Sequence, residues 1–167
     1  MSFDLFLHRF EAGEPAQADR SGILALLRKH CQDTEDPFGF YRVRFPDDSG
    51  VAFSAEGLAS GKAFTGCAFH MRGFSFTPSV ISFVFEVAVA GDMVIFNAQG
   101  KDTPDNPLAI LTRSCQSSQF PSDCASNPVL CSSASDLARL LGIGFGEWSD
   151  FRDLVIGKPT SAPRQAR

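Results

Sequence analysis

The chain has 167 residues, 44% of them hydrophobic and 20% charged, enough apolar material for one packed core and too little charge for a disordered chain. Its 17 Phe stand against one Tyr, Tyr41, and one Trp, Trp148, a balance that favours apolar packing over a stacking platform for bases or sugars. The formal charge is −4, but residues 157–167 hold Lys158, Arg164 and Arg167 with no acid; without them 12 bases face 19 acids, a body of −7 that repels phosphate backbones and favours a cationic protein partner over nucleic acid.

Ser2 to Phe10 alternates as a strand, with Phe3, Leu5 and Leu7 on one face and Asp4, Phe6, His8 and Phe10 on the other. Both faces are partly apolar, which predicts a central position. After a link with Gly13 and Pro15, residues Ile23, Leu26, Leu27 and His30 fall at helical spacing and predict a helix over Arg20 to Cys31. The acidic run Asp33 to Asp36 and then Pro37 stop it. Phe38 to Phe45 and Val51 to Glu56 flank Pro46-Asp47-Asp48-Ser49-Gly50, a hairpin signal that turns Tyr41, Val43 and Phe45 to the core and Arg42 and Arg44 away. Phe64 to Phe74 reads as a further strand. Thr77 is placed to cap, and Pro78 to begin, a helix over Ser79 to Ala90 despite its β-branched residues.

Met93 to Asn97 predicts a short strand. Ala98 to Ser135 is long, polar and broken by Pro104, Pro107, Pro121 and Pro128, with only Leu108 to Leu111 apolar enough for another strand; loops of this kind are functional or mobile. A Ser near 135 caps a short helix ending near Leu141, with Gly142 able to take a left-handed stop and Gly142-Ile143-Gly144-Phe145-Gly146 reading as a flexible connection. Trp148, Phe151, Leu154 and Val155 form a last apolar patch expected to fold back on the body. The order predicts an α+β protein: a mixed or mainly antiparallel sheet of five to six strands covered by two main helices plus a short C-terminal helix, in one domain over residues 1–156 with a flexible tail over 157–167.

Asp4, His8 and Arg9 interrupt the first apolar stretch, which argues against a signal peptide. The most apolar window, Val80 to Phe96, is broken by Glu86 and Gly91-Asp92 and falls short of the roughly 20 apolar residues a span needs. A cytoplasmic protein without membrane association is expected, with its five cysteines as free thiols. Cys115, Cys124 and Cys131, spaced C-x8-C-x6-C, lack the close pair that begins a zinc site, so neither metal nor cofactor is expected. Cys67 and His70 stand three apart on a strand and point to opposite faces, which separates them as a catalytic pair.

Two sets of residues remain. His8, Arg42, Arg44, His70 and Arg72 share a sheet face if their strands are neighbours, and could hold an anionic ligand. Asp47, Asp48, Asp102, Asp105, Glu147 and Asp150 sit on loops or beside Trp148 and form a candidate surface for a basic protein, with Trp148 as its anchor. No sequence pattern of a hydrolase elbow, phosphate loop or dinucleotide site is present, so a non-enzymatic binder is expected.

The opening MSFDLFLHRFEAGEP, an S-F-D-L strand followed by a G-E turn, resembles the start of a group of small bacterial cytoplasmic proteins, some of which are similar to immunity proteins that bind and block a toxin delivered by neighbouring cells. The resemblance covers residues 1–15 and transfers no residue role; the Cys115 to Cys131 loop has no place in it. It implies a cognate protein toxin as the partner.

Overall fold

The structure is a computed structural model that describes residues 2–31, 39–60, 62–71 and 76–156. Among them the order is β1 (Phe3–His8), β2 (Phe10–Glu11), β3 (Glu14–Pro15), α1 (Arg20–His30), β4 (Phe40–Arg44), β5 (Gly50–Ser54), β6 (Gly66–Met71), α2 (Pro78–Gly91), β7 (Val94–Asn97), β8 (Ala109–Leu111), a 3-10 helix (Ser114–Ser118), β9 (Val129–Leu130) and α3 (Ala134–Val155). Seven strands form one sheet in the order β4-β5-β6-β1-β7-β8-β9, antiparallel except for β8 with β9, while β2 and β3 make a separate small hairpin. The fold is α+β with a mainly antiparallel sheet, larger than the predicted five to six strands because β9 is drawn from a stretch too polar to announce itself.

β1 is central, as its two apolar faces predict. Phe3, Leu5 and Leu7 are fully buried beneath the helices. Phe53, Phe69 and Met71 from neighbouring strands, Ile23 and Leu27 of α1, and Leu137, Leu140 and Leu141 of α3 join the same cluster. α2 lies across this layer with Val80, Ile81, Phe83, Val84, Val87 and Ala88 buried, and burial of so much of its circumference outweighs the modest helix propensity of its Val and Ile residues. Phe83 meets Phe69 edge-on at 5.9 Å and Phe45 at 5.7 Å, the arrangement aromatic quadrupoles favour. The phenylalanines nevertheless do not serve a single core: Phe10 and Phe96 pack on the opposite sheet face with Val94, Leu111 and Phe120, and Phe6 on that face is 38% exposed.

The helix starts agree with their caps. Asp19 accepts from Ser21 N and Gly22 N at the head of α1, and Thr77 accepts from Val80 N ahead of Pro78 in α2. Asp92 closes α2 in the left-handed conformation at φ 52°. The predicted stop at residues 33–37, the ends of the predicted strands at Phe38 and at 72–74, and the tail at 157–167 lie outside the described residues.

Two readings of the second half are corrected. β8 lies where Leu108 to Leu111 predict a strand, but residues 98–135 also hold the 3-10 helix and β9 and are tied by side chains to backbone: Gln116 Oε1 accepts from Thr112 N at 2.8 Å, and the Asp102 carboxylate from Ser126 N at 2.9 Å and Asn127 N at 3.2 Å. The short C-terminal helix is a 22-residue α3 that runs through Gly142, Gly144 and Gly146 without a left-handed stop. Burial of Leu137, Leu140, Leu141 and Trp148 outweighs the helix penalty of about 1 kcal/mol per glycine.

A Cβ at Gly144 would stand 3.0 Å from Asn106 Oδ1 and 3.4 Å from Asn97 Nδ2, a tight approach to two amides held by their own hydrogen bond, whereas at Gly142 and Gly146 nothing lies within 4 Å. Urea unfolding should therefore separate the three: Gly144→Ala destabilises by about 1–3 kcal/mol, whereas Gly142→Ala and Gly146→Ala each stabilise by about 0.5–1 kcal/mol.

Candidate functional site

The end of the sheet where β1 begins gathers most of the predicted partner-binding residues. Register puts Gly50, Met71 and Asn97 at or near this end of β5, β6 and β7, so the β4–β5 hairpin and the loop of residues 98–107 both emerge there. They are separated across the sheet's width by β6 and β1.

At the hairpin, Phe45 N donates to Ser49 O and Asp48 stands at φ 61°, a conformation Asp tolerates better than most residues. Asp47 accepts from Ser49 N and Ser49 Oγ with one oxygen and from Ser79 Oγ, at 2.7 Å, with the other. These hydrogen bonds, first Ser49 and then Ser79, hold its carboxyl below the usual carboxylate range. Asp47 therefore fastens the hairpin to the head of α2, where a negative charge also meets the positive pole of the helix. Asp48 is exposed beside it.

On the other side, buried Asn97 and Asn106 organise the loop. Asn97 Oδ1 accepts from Gln99 N, and Asn97 Nδ2 donates to Asn106 Oδ1 at 3.2 Å. Asn106 O accepts from Lys101 N at 2.9 Å, and Gly144 of α3 packs against both amides. Lys101 Nζ reaches Glu147 Oε1 at 2.7 Å and ties the loop to α3 a second time. Asp102, half-buried at φ 55°, is committed to the backbone of Ser126 and Asn127. Asp105 and Asp150 are exposed, and Asp150 follows Glu147 by one helical turn.

Trp148 is not the exposed anchor that its acidic neighbours predict. Its side chain is 8% exposed and packs on Phe3 and Phe145, with the Arg152 guanidinium 5.0 Å above the ring. Nor does the last apolar patch fold back as a unit, since Phe151, Leu154 and Val155 are exposed. Asn97 and Asn106 were not singled out by sequence reasoning, because amides near Gly100 and Pro107 look like ordinary turn residues, and Gly144 was read only as part of a flexible connection.

The outer face of the sheet holds the second set. Arg42 lies in the row Arg42, Ala52, His70, Asp4, and Arg44 lies two residues along β4 on the same face. His70 Nδ1 is 2.8 Å from Asp4 Oδ1 and its ring is 5.4 Å from Phe40. Arg42 and Arg44 are exposed and have no acid within ion-pair distance among the described residues. His8 is not brought to them: it stands four residues along β1 from Asp4, about 13 Å, wedged between Phe10 and Phe96 over Gly66. Arg72 lies outside the described residues.

Cys67 is buried in the core with Sγ 3.9 Å from Met93 Sδ, on the face opposite His70. Cys131 is buried and donates to Ser133 O, while Cys115 and Cys124 are exposed. Among the described residues no group of three His, Cys, Asp or Glu side chains could hold a metal ion, and no helix is long and apolar enough to cross a membrane. Comparison with protein-family models, with curated proteins and with solved structures finds no match.

The half-buried position of His8 makes folding pH-dependent. Burial lowers its pKa below the usual 6.5, so the neutral ring is the form that folding favours. Its contribution is complete above the unfolded value of about 6.5 and is lost as pH falls through the lowered folded value. Urea midpoints measured from about pH 7.5 down to about pH 5 should decline in the native protein and decline less in His8→Leu, with His30, also lowered by burial, leaving a residual slope.

Proposed function

We propose that the protein is a non-enzymatic immunity-type protein that binds and occludes a basic toxin domain in the cytoplasm, using the acidic end of its sheet. The observation that carries this reading is the state of Asp105 and Asp150. Both are exposed, no hydrogen bond or ion pair engages either side chain among the described residues, and both stand on elements joined by the Lys101–Glu147 pair and the Gly144 contact. Charges held on a rigid frame lose little entropy on binding and steer an oppositely charged partner. Asp48 extends the same end, whereas Asp47 and Asp102 support it from within. The −7 body adds a long-range field of the same sign. The resemblance of residues 1–15 to small cytoplasmic proteins similar to immunity proteins favours a toxin over other cationic partners.

A second reading is favoured by one observation, the two guanidinium groups of Arg42 and Arg44 on the outer face without an acid among the described residues. An anionic small molecule bound there would raise the melting temperature, and Arg42→Ala with Arg44→Ala would abolish the gain.

The test of the leading reading is co-expression with the product of the adjacent gene, followed by co-purification and association kinetics. Protection and a complex are expected. Asp105→Lys with Asp150→Lys should slow association roughly tenfold or more and weaken its dependence on salt. Absence of both complex and protection, or unchanged kinetics in the double variant, overturns it.

A further inference from the structure

The outer face of the sheet carries an imidazole that is oriented from one side and unused on the other. His70 Nδ1 lies 2.8 Å from Asp4 Oδ1. Asp4 is itself fixed, because Ser2 Oγ donates to its Oδ2 at 3.1 Å and its backbone N donates to Gln99 Oε1 at 3.3 Å. A carboxylate only accepts, so Nδ1 donates in this contact and the neutral ring keeps its lone pair on Nε2. Among the described residues nothing bonds Nε2. The Phe40 ring stands 5.4 Å from the imidazole, nearly perpendicular to it, and walls that side.

Register sets two cations opposite this ring. Arg42, Ala52 and His70 form one row across β4, β5 and β6, with about 10 Å between the outer two Cα atoms. Only the methyl group of Ala52 stands between them. Arg44 follows Arg42 on the same face and pairs with Gly50, so β5 places no large side chain in front of either guanidinium. Both arginines are exposed and make no ion pair among the described residues. The charged and titratable groups along the row are Arg42 from β4, His70 from β6 and Asp4 from β1, while β5 contributes none.

The donor set selects a ligand chemistry. Guanidinium groups only donate, and they match acceptor oxygens in pairs. Nε2 instead needs a proton between itself and the ligand. A phosphomonoester meets both demands, since it has three terminal oxygens and loses its second proton near pH 6, close to the range in which imidazole titrates. A sulfate ester offers acceptors alone. We propose that this face binds a small phosphomonoester, with its oxygens on Arg42 and Arg44 and on His70 Nε2 through one shared proton, and its organic part over Ala52 against Phe40. This rests on the second reading above, an anionic ligand on the outer face, and narrows it to one class.

The test is calorimetric titration of the full chain with phenyl phosphate, inorganic phosphate and phenyl sulfate at about pH 7.5, in two buffers of different ionisation enthalpy. Free imidazole and free phosphomonoester are both largely deprotonated there. Saturable binding of phenyl phosphate with uptake of about one proton is expected, together with roughly tenfold weaker binding of phenyl sulfate and weaker binding of inorganic phosphate. Arg42→Ala with Arg44→Ala should remove binding. His70→Gln should leave weak binding without proton uptake, a change that loss of the arginine charges alone does not produce. Equal binding of phosphate and sulfate esters without proton uptake overturns the proposal and leaves the second reading standing. Inorganic phosphate binding as tightly as phenyl phosphate overturns the role of Phe40. Absence of binding by all three probes overturns both the proposal and the second reading. So does binding that appears only when Asp33→Asn, Glu35→Gln and Asp36→Asn are combined, which assigns the arginines to those acids.

Discussion

Everything in this molecule is arranged around the burial of β1. The strand is paired along one edge with β6 from Phe3 to His8 and along the other with β7 from Leu5 to His8. Its backbone is thus satisfied only when segments about 60 and 90 residues away in sequence have arrived. Phe3, Leu5 and Leu7 enter the helix-covered core, each worth about 1.5–3 kcal/mol of burial in a protein whose whole stability is expected at about 5–15 kcal/mol. The opposite side of the strand carries Asp4, Phe6 and His8, each in a different environment: a 2.8 Å contact with His70 Nδ1, partial exposure, and a wedge between aromatic rings. One strand therefore commits the chain to a covered inner face and a partly covered outer one. The remaining elements divide between those two tasks.

Where local pattern and tertiary demand agree, the sequence is readable. The alternation of β1, the spacing of Ile23 and Leu27, the Pro46 to Gly50 turn and the Thr77-Pro78 start of α2 each carry a signal that the fold uses. It fails where tertiary contacts supply what local preference lacks. Gly142, Gly144 and Gly146 resemble a break, but the leucines before them and Trp148 after them are buried by the sheet end, and the helix is carried through. Residues 98–135 resemble an open loop because polar composition does not reveal whether a side chain faces water or a backbone amide. Gln116 and Asp102 face amides.

Trp148 illustrates a related limit. Glu147 and Asp150 flank it in sequence, which makes it look like an aromatic set among charges. On a helix, adjacent residues are about 100° apart and do not share a face, so the acids point outward while the indole points to Phe3. The neighbours that matter are Leu141 and Gly144 on one side and Phe151 and Val155 on the other. Sequence proximity gives the composition of a surface, and helical phase decides which members of it are visible to a partner.

The acids divide in the same way. Asp19 and Asp47 support the helix starts, Asp92 holds Arg9, Arg113 and Gln116 at the far end of α2, and Asp102 ties two loops. A protein with no partner at all would still have a use for these four, so they carry no weight for recognition. Asp48, Asp105 and Asp150 make no such side-chain bond among the described residues and are exposed. The frame beneath the last two departs from an ordinary apolar contact: Asn97 and Asn106 are buried amides joined by a hydrogen bond from Asn97 Nδ2 to Asn106 Oδ1. Leucine or valine would fill that space more favourably but could not bond Gln99 N or bring the loop to Gly144 in one register. A buried polar pair that holds one loop against one helix fixes the position of Asp105 relative to α3.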